Sequence, residues 1–223
     1  MTAFKIHTIP GSPFARAVCA TLAEKDATYR IAPIGMETMK TEAHLRVHPF
    51  GRMPAIDHDG FHLYETQAIL RYVDRVLPTP ALTPLDARLA AGMDLVMNVC
   101  DWYLFRDVAN VIAFQRVVGP KLMGLTPDEA AIAAAMPKAH VVMRELERLL
   151  GHQTYYCGDT VSLADLHLAP QMDFLSQTPE WAAISLETPN IVAWLARMNL
   201  RPSMKATTWE RISELAKASA SVS

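Results

Sequence analysis

Apolar residues change their spacing along the chain, and the changes mark out the elements. Phe4 to Ile9 alternates weakly, the period of a strand. Pro10-Gly11 interrupts it, and Ser12-Pro13 opens a helix with a hydroxyl at the N-cap and proline at the first helical position. Phe14, Val18 and Leu22 fall on one face of that helix. Tyr29 to Ile34 reads as a second strand. Strand, helix, strand without a hairpin implies a parallel pair with a right-handed crossover. Gly35 to Val47 is polar and compatible with helix, without a clear pattern. Ala55-Ile56 then starts a short strand, Asp59-Gly60 supplies positive φ for a two-residue hairpin, and Phe61 to Tyr64 returns. Glu65-Thr66 opens a helix carrying Ile69, Leu70, Val73, Val76 and Leu77.

Pro54 restricts this arrangement, because proline cannot donate to a strand ladder. It must stand at a strand's first residue, at an edge or in a cis turn. A cis bond would leave the N–H and C=O of Met53 open to an extended peptide.

The pattern shifts after Leu77. Leu77-Pro78-Thr79-Pro80-Ala81-Leu82-Thr83-Pro84 reads as a stiff connector, and everything beyond it reads as helix. Leu85 to Val118 is largely apolar and free of proline. Even with breaks it would reach roughly 50 Å at 1.5 Å per residue. Thr126-Pro127-Asp128-Glu129 predicts a helix start with Thr126 as N-cap; Pro137 should kink that helix and Gly151 end it. Ser162 and Asp165 form a capping box, with Val161 and Leu166 as its hydrophobic staple. Further helices are expected over Leu163 to Gln177, Asn190 to Asn199 and Ser203 to Lys217. The Ala/Ser-rich last residues are expected to fray. The predicted organisation is 1–77, a linker at 78–85, and an all-helical region over 86–223.

Composition narrows the function classes. The chain has 223 residues, of which 51% are hydrophobic, enough for one large core or two modest ones. No run of about 18 apolar residues predicts a membrane span, and MTAFKIHTIPG does not read as a secretory signal. A net charge of −2 with mixed signs argues against general affinity for nucleic acid or acidic membranes. Cys19, Cys100 and Cys157 are odd in number and widely spaced, which favours a reducing, cytoplasmic setting over a disulfide framework. The eight histidines show no metal-ligand spacing, so no metal is expected.

One string is specific. His48-Pro49-Phe50-Gly51-Arg52-Met53-Pro54, followed by Glu65-Thr66, Ala68-Ile69 and Tyr72, resembles the glutathione transferase pattern Asn-Pro-x-Gly-x-Val-Pro, acidic-Ser, Ala-Ile and Tyr. His48, Met53 and Thr66 depart from it. Met53 would act through its backbone, and Thr66 still carries a hydroxyl. The box at Ser162 and Asp165 is similar to the one in the second domain of that family. The resemblance implies an α+β thioredoxin-like N-terminal domain followed by an all-α C-terminal helical bundle. It also implies a homodimeric cytoplasmic detoxification enzyme that joins glutathione, its co-substrate, to a hydrophobic electrophile.

The residues assigned by the resemblance have matching chemistry. Glutathione's thiol resembles a free Cys, with a pKa of about 8.5. A helix N-terminus and one hydroxyl donor can lower it by about one to two units. Ser12, in Ser12-Pro13-Phe14-Ala15-Arg16, resembles the activating serine of Ser-Pro-Phe-x-x-Arg transferases, although it is also simply an N-cap. Classes that use tyrosine carry it in the first strand, and Lys5 to Pro10 contains none. Cys19 lies too far along the helix to serve instead and reads as a buried small hydrophobe. Met53 and Pro54 would meet the cysteinyl backbone, Glu65 the γ-glutamyl ammonium, Thr66 its carboxylate, and Lys40 and Arg52 the glycyl carboxylate. Lys40 and Arg52 read equally as solvated surface charges. Phe14, Tyr103, Phe105, Arg106 and Trp209 are candidates for the electrophile's site, although aromatic residues at helical spacing are usually core. Two other functions remain open: an idle binding or assembly module on this scaffold, and a glutathione-dependent isomerase or dehalogenase. Pro10-Gly11-Ser12-Pro13 is unlike the Ser-Ser-Cys run of the isomerases.

Overall fold

The computed structural model of the chain describes residues 3–220. Of the Ala/Ser-rich end expected to fray, the residues as far as Ala220 are helical, and 221–223 lie outside the described residues. Packing divides the chain into two units: residues up to Ala81 together with those from Arg201 onward, and Leu82–Leu200.

The first unit is built on β1 (Phe4–Thr8), α1 (Pro13–Glu24), β2 (Tyr29–Pro33), α2 (Glu42–Val47), β3 (Ala55–His58), β4 (Phe61–Tyr64) and α3 (Thr66–Val76). The sheet order is β2-β1-β3-β4. β1 and β2 are parallel, as the helical crossover requires; β3 runs antiparallel to β1 and to β4. Asp59 and Gly60 both have positive φ, 56° and 80°, so the hairpin closes through the two residues expected for it. Phe4, Ile6, Ile31 and Ile56 from the strands and Val18, Leu22, Ile69, Leu70 and Val73 from the helices form the core, each 2% exposed or less.

The C-terminal segment, helical as expected, returns to the first unit: α10 (Pro202–Lys205) packs on α1, and α11 (Trp209–Ala220) packs on β2. Specific bonds explain the return. Arg201 donates two hydrogen bonds to Glu24, each 2.8 Å, Ser203 Oγ donates a third, and Arg16 donates to the Met204 carbonyl at 3.3 Å. At the end of α1, buried Lys25 pairs with Asp74 of α3 at 2.5 Å and also bonds the Pro80 carbonyl.

The second unit is helical: α4 (Ala87–Val99), π-helical turns over Cys100–Ala109 and Phe114–Val118, α5 (Gly119–Met123), α6 (Glu129–Leu150), α7 (Leu163–Ser176), α8 (Trp181–Ile184) and α9 (Pro189–Leu200). The long apolar run is thus a helix that widens rather than a uniform rod. Pro137 stands inside α6, which continues to Leu150 before Gly151. Its N-cap is Asp128, not Thr126: Asp128 Oδ1 accepts the Ala131 N–H at 3.0 Å. Gln115 holds the Asp128 N–H, and Arg116 forks onto the Glu129 carboxylate at 2.6 and 2.8 Å. Those tertiary bonds take Glu129 away from Thr126. Ser162 and Asp165 form the expected box at the start of α7.

Candidate functional site

The end of β1 and the start of α1 set the position of Ser12. Ser12 is extended, with φ −75° and ψ 117°, and its Oγ accepts the Ala15 N–H at 3.2 Å. A hydroxyl has one donor and two acceptor lone pairs, so this cap uses an acceptor and leaves the O–H proton for another partner. Gly11, just before it, holds φ at 94°, and Trp209 of α11 lies on its open side. A Cβ at Gly11 would meet three atoms of the Trp209 ring within 2.7 Å. Trp209 therefore stands beside the residue next to Ser12, where it joins the neighbourhood of this loop. Phe14 is half-buried on α1.

Met53 and Pro54 lie on the loop that enters β3. Their peptide bond is cis. β3 pairs with β1 only from Ala55 onward, and among the described residues neither backbone group of Met53 enters a hydrogen bond. α2 supports the same loop: His44 Nε2 meets the Arg52 carbonyl oxygen at 2.9 Å. His48, 2% exposed, packs its ring on Tyr64, 4.9 Å between centroids.

Glu65 and Thr66 follow β4. Glu65 is the residue preceding α3, exposed, with φ at 69° and no side-chain bond to the helix. For a residue with a Cβ this conformation costs on the order of 1–2 kcal/mol and persists only where the surroundings impose it. Thr66 is the first helical residue rather than the cap, and it is 8% exposed. Its place at a helix N-terminus suits an anion. Tyr72, the last residue of the recognised string, is structural here: its OH meets His58 Nδ1 at 2.9 Å. Lys40 and Arg52 are both exposed.

The other candidates are distributed as follows. Cys19 is fully buried, and burial pushes its thiol up to about 12, so it is a poor nucleophile. Tyr103, Phe105 and Arg106 lie on the π-helical turns of the second unit, where Tyr103 is 57% exposed. Spacing along the chain did not reveal one group: Cys100, Asp101 and His167 bring their ligand atoms within 4.8 Å of one another. His167 Nε2 already meets Asp101 Oδ1 at 2.6 Å. Burial, followed by the Asp101 charge, pushes the Cys100 thiol well up, away from the thiolate that binds metals. The group is a hydrogen-bonded pair with a thiol beside it.

Two family models match this chain: "Glutathione S-transferase, N-terminal domain" over residues 2–75 and "Glutathione S-transferase, C-terminal domain" over residues 105–202. The chain belongs to the glutathione S-transferase family. It is 32% identical over 203 residues to a glutathione S-transferase of Hyoscyamus muticus, covering 89% of this chain and 94% of that protein. Glutathione S-transferase PARB of Nicotiana tabacum is 27% identical over 205 residues, covering 90% and 95%. Among solved structures, glutathione S-transferase III in its apo form superposes with a TM-score of 0.82 at 29% identity, over 92% and 95% of the two chains. Glutathione S-transferase-I bound with lactoylglutathione gives 0.79 at 28% identity, over 96% and 99%. This family transferase has the thioredoxin-like sheet and the helical second region that the sequence pattern implied.

Proposed function

We propose that this chain conjugates glutathione to hydrophobic electrophiles, with Ser12 activating the thiol. The observation that carries the reading is the Ser12 hydroxyl, which caps α1 through a lone pair; its proton would then serve a sulfur anion. The N-terminus of α1 adds roughly half a positive charge at the same point. Together they favour thiolate over thiol: each unit of pKa lowered is about 1.4 kcal/mol of preference for the charged form. The thiol proton leaves to solvent, the sulfur lone pair forms the new C–S bond, and the electrophile's leaving group departs with its electron pair.

Other residues of the first unit would hold the peptide. The open backbone of Met53, next to Pro54, offers a donor and an acceptor to the cysteinyl residue. The Glu65 carboxylate answers the γ-glutamyl ammonium, and Thr66 at the N-terminus of α3 answers the γ-glutamyl carboxylate. Lys40 and Arg52 are the exposed cations available to the glycyl carboxylate. The reading carries with it a cytoplasmic homodimer; Phe50, 69% exposed, is an apolar side chain that a second copy would cover.

Thiolate absorbance of the glutathione complex, titrated against pH in wild type and Ser12→Ala, tests the assignment. Ser12→Ala should shift the titration up by about one to two units while affinity holds. Its rate should fall less than the thiolate fraction, because a more basic thiolate is also a better nucleophile. Superimposable titrations would reduce Ser12 to a helix cap. Wild type that binds glutathione and conjugates nothing would leave a binding module instead.

A further inference from the structure

The ladder between β1 and β3 ends at His7 opposite Ala55. Continued by two residues, the same register sets Ile9 opposite Met53. Pro54 has no N–H to extend the pairing. Ile9 is 8% exposed, and a buried backbone N–H needs an acceptor. It finds one in a side chain: Ile9 N–H donates to the Met53 Sδ at 3.3 Å. The carbonyl of the same residue accepts the Ser12 N–H, also at 3.3 Å. Met53 sulfur, Ile9 and Ser12 thus form one short chain of bonds joining the loop before β3 to the loop before α1. A valine, the residue common in the family pattern, has no atom that could accept from Ile9.

We propose that the Met53 thioether is a positioning group, which takes the Ile9 N–H so that the Met53 backbone stays open, and which fixes Ser12 relative to that backbone. The proposal rests on the reading that this site holds glutathione. The geometry gives the link its purpose. In that reading the cysteinyl backbone pairs with Met53 while its sulfur reaches Ser12, and the tripeptide's own bond lengths fix that separation. The protein must match it, and the sulfur–Ile9–Ser12 chain is the connection that does so. A thioether is a weak acceptor. Its advantage here is reach and shape: an unbranched, adaptable side chain fills the space and still presents a lone pair.

Three variants read this out. Met53→Leu keeps volume and removes the acceptor. Met53→Gln restores an acceptor at similar reach. Met53→Val reproduces the common residue. Each is measured for glutathione affinity by calorimetry, for thiolate titration of the complex and for kcat and KM separately. Met53→Leu should hold affinity within about threefold, move the thiolate titration upward by about one unit, and lower kcat about threefold, less than the roughly tenfold loss of thiolate because the more basic sulfur is also the better nucleophile. Met53→Val should behave like Met53→Leu, and Met53→Gln should recover most of the loss. Leucine and wild-type titrations that coincide, or a glutamine variant no better than leucine, would overturn the proposal. A wild type without glutathione binding would overturn the underlying reading as well, and so is told apart. Folding of the variants is not required for a last check: the Ile9 amide of the wild-type chain should resist hydrogen exchange, and free exchange there would refute the bond.

Discussion

Trp194 donates its indole N–H to Asp165 Oδ1 at 2.8 Å, and the same oxygen accepts the Tyr156 N–H at 3.0 Å. The other oxygen takes the N–H and the hydroxyl of Ser162, at 2.9 and 2.7 Å. One fully buried carboxylate thus joins α9, the turn at Tyr156 and the start of α7. The capping box read from sequence is the local half of this arrangement. Asp165→Ala would strand several buried donors, each costing about 1–3 kcal/mol. It should destabilise the chain by about 3–5 kcal/mol, against about 1 kcal/mol for Ser162→Ala. Denaturant titration checks the difference. Glutathione affinity of the folded variants should match wild type, and a selective loss of binding would contradict a structural role.

Glu65 offers the opposite combination. Its exposed carboxylate serves no helix cap, and its φ of 69° is one that glycine adopts freely. Glu65→Gln should weaken glutathione binding about ten- to hundredfold, since a charge-assisted hydrogen bond is worth about 1.5–3 kcal/mol. Its stability should barely change. Glu65→Gly should lose binding as well, yet unfold no earlier than wild type, because backbone strain is relieved. Calorimetry with thermal unfolding separates the two. A glycine variant that melts well below wild type would make Glu65 a structural residue.

The elements that were legible in the sequence are those whose determinants are local. Asp59-Gly60 fixes its hairpin through its own dihedral preferences, and Ser12-Pro13 starts α1 through a cap made within that helix, the Ser12 hydroxyl accepting the Ala15 N–H. Thr126 failed as a cap because Gln115 and Arg116, a turn of chain away, hold Asp128 and Glu129. The return of α10 and α11 was illegible for a similar reason: Glu24 with Arg201 and Ser203 is a contact across most of the chain. At the site, the motif marked which residues to watch, while their side-chain partners remained hidden. Met53 was expected to act by backbone alone, and nothing in its neighbours' identities points to Ile9.

His7 should set part of the acid stability. Burial lowers its pKa to about 4, helped by the nearby Lys5, His44 and His62 and opposed by Asp57. In the unfolded chain it titrates near the ordinary histidine value of about 6.5. Between those values the unfolded state binds the extra proton, so stability rises with pH. The His7 contribution is therefore complete above about 6.5 and is lost as pH falls towards 4. His7→Gln should flatten the stability profile across that window while leaving the neutral-to-alkaline limb parallel to wild type. Unfolding free energies at stepped pH provide the measurement. An unchanged slope below 6.5 would assign the acid sensitivity to other groups.

Gly11 and Trp209 give the last prediction, because they couple the C-terminal segment to the loop that carries Ser12. At Gly11 an alanine meets two obstacles: φ of 94°, and a Cβ within 2.5–2.7 Å of the Trp209 ring. The first costs on the order of 1–2 kcal/mol. The second is overpacking, typically about 1–3 kcal/mol. Gly11→Ala should therefore destabilise by about 2–5 kcal/mol and shift the tryptophan emission as the indole is displaced. Trp209→Ala removes the obstacle and leaves the dihedral cost. In the double variant the two losses should sum to less than their separate values by at least about 1 kcal/mol, well outside the roughly 0.5 kcal/mol scatter of independent sites. Gly11→Ala should also lower kcat more than it raises KM for glutathione, since Ser12 is displaced while Met53, Glu65 and Thr66 are not. Strictly additive stabilities would mean that the ring is free to move aside. α11 would then cover this loop without constraining it.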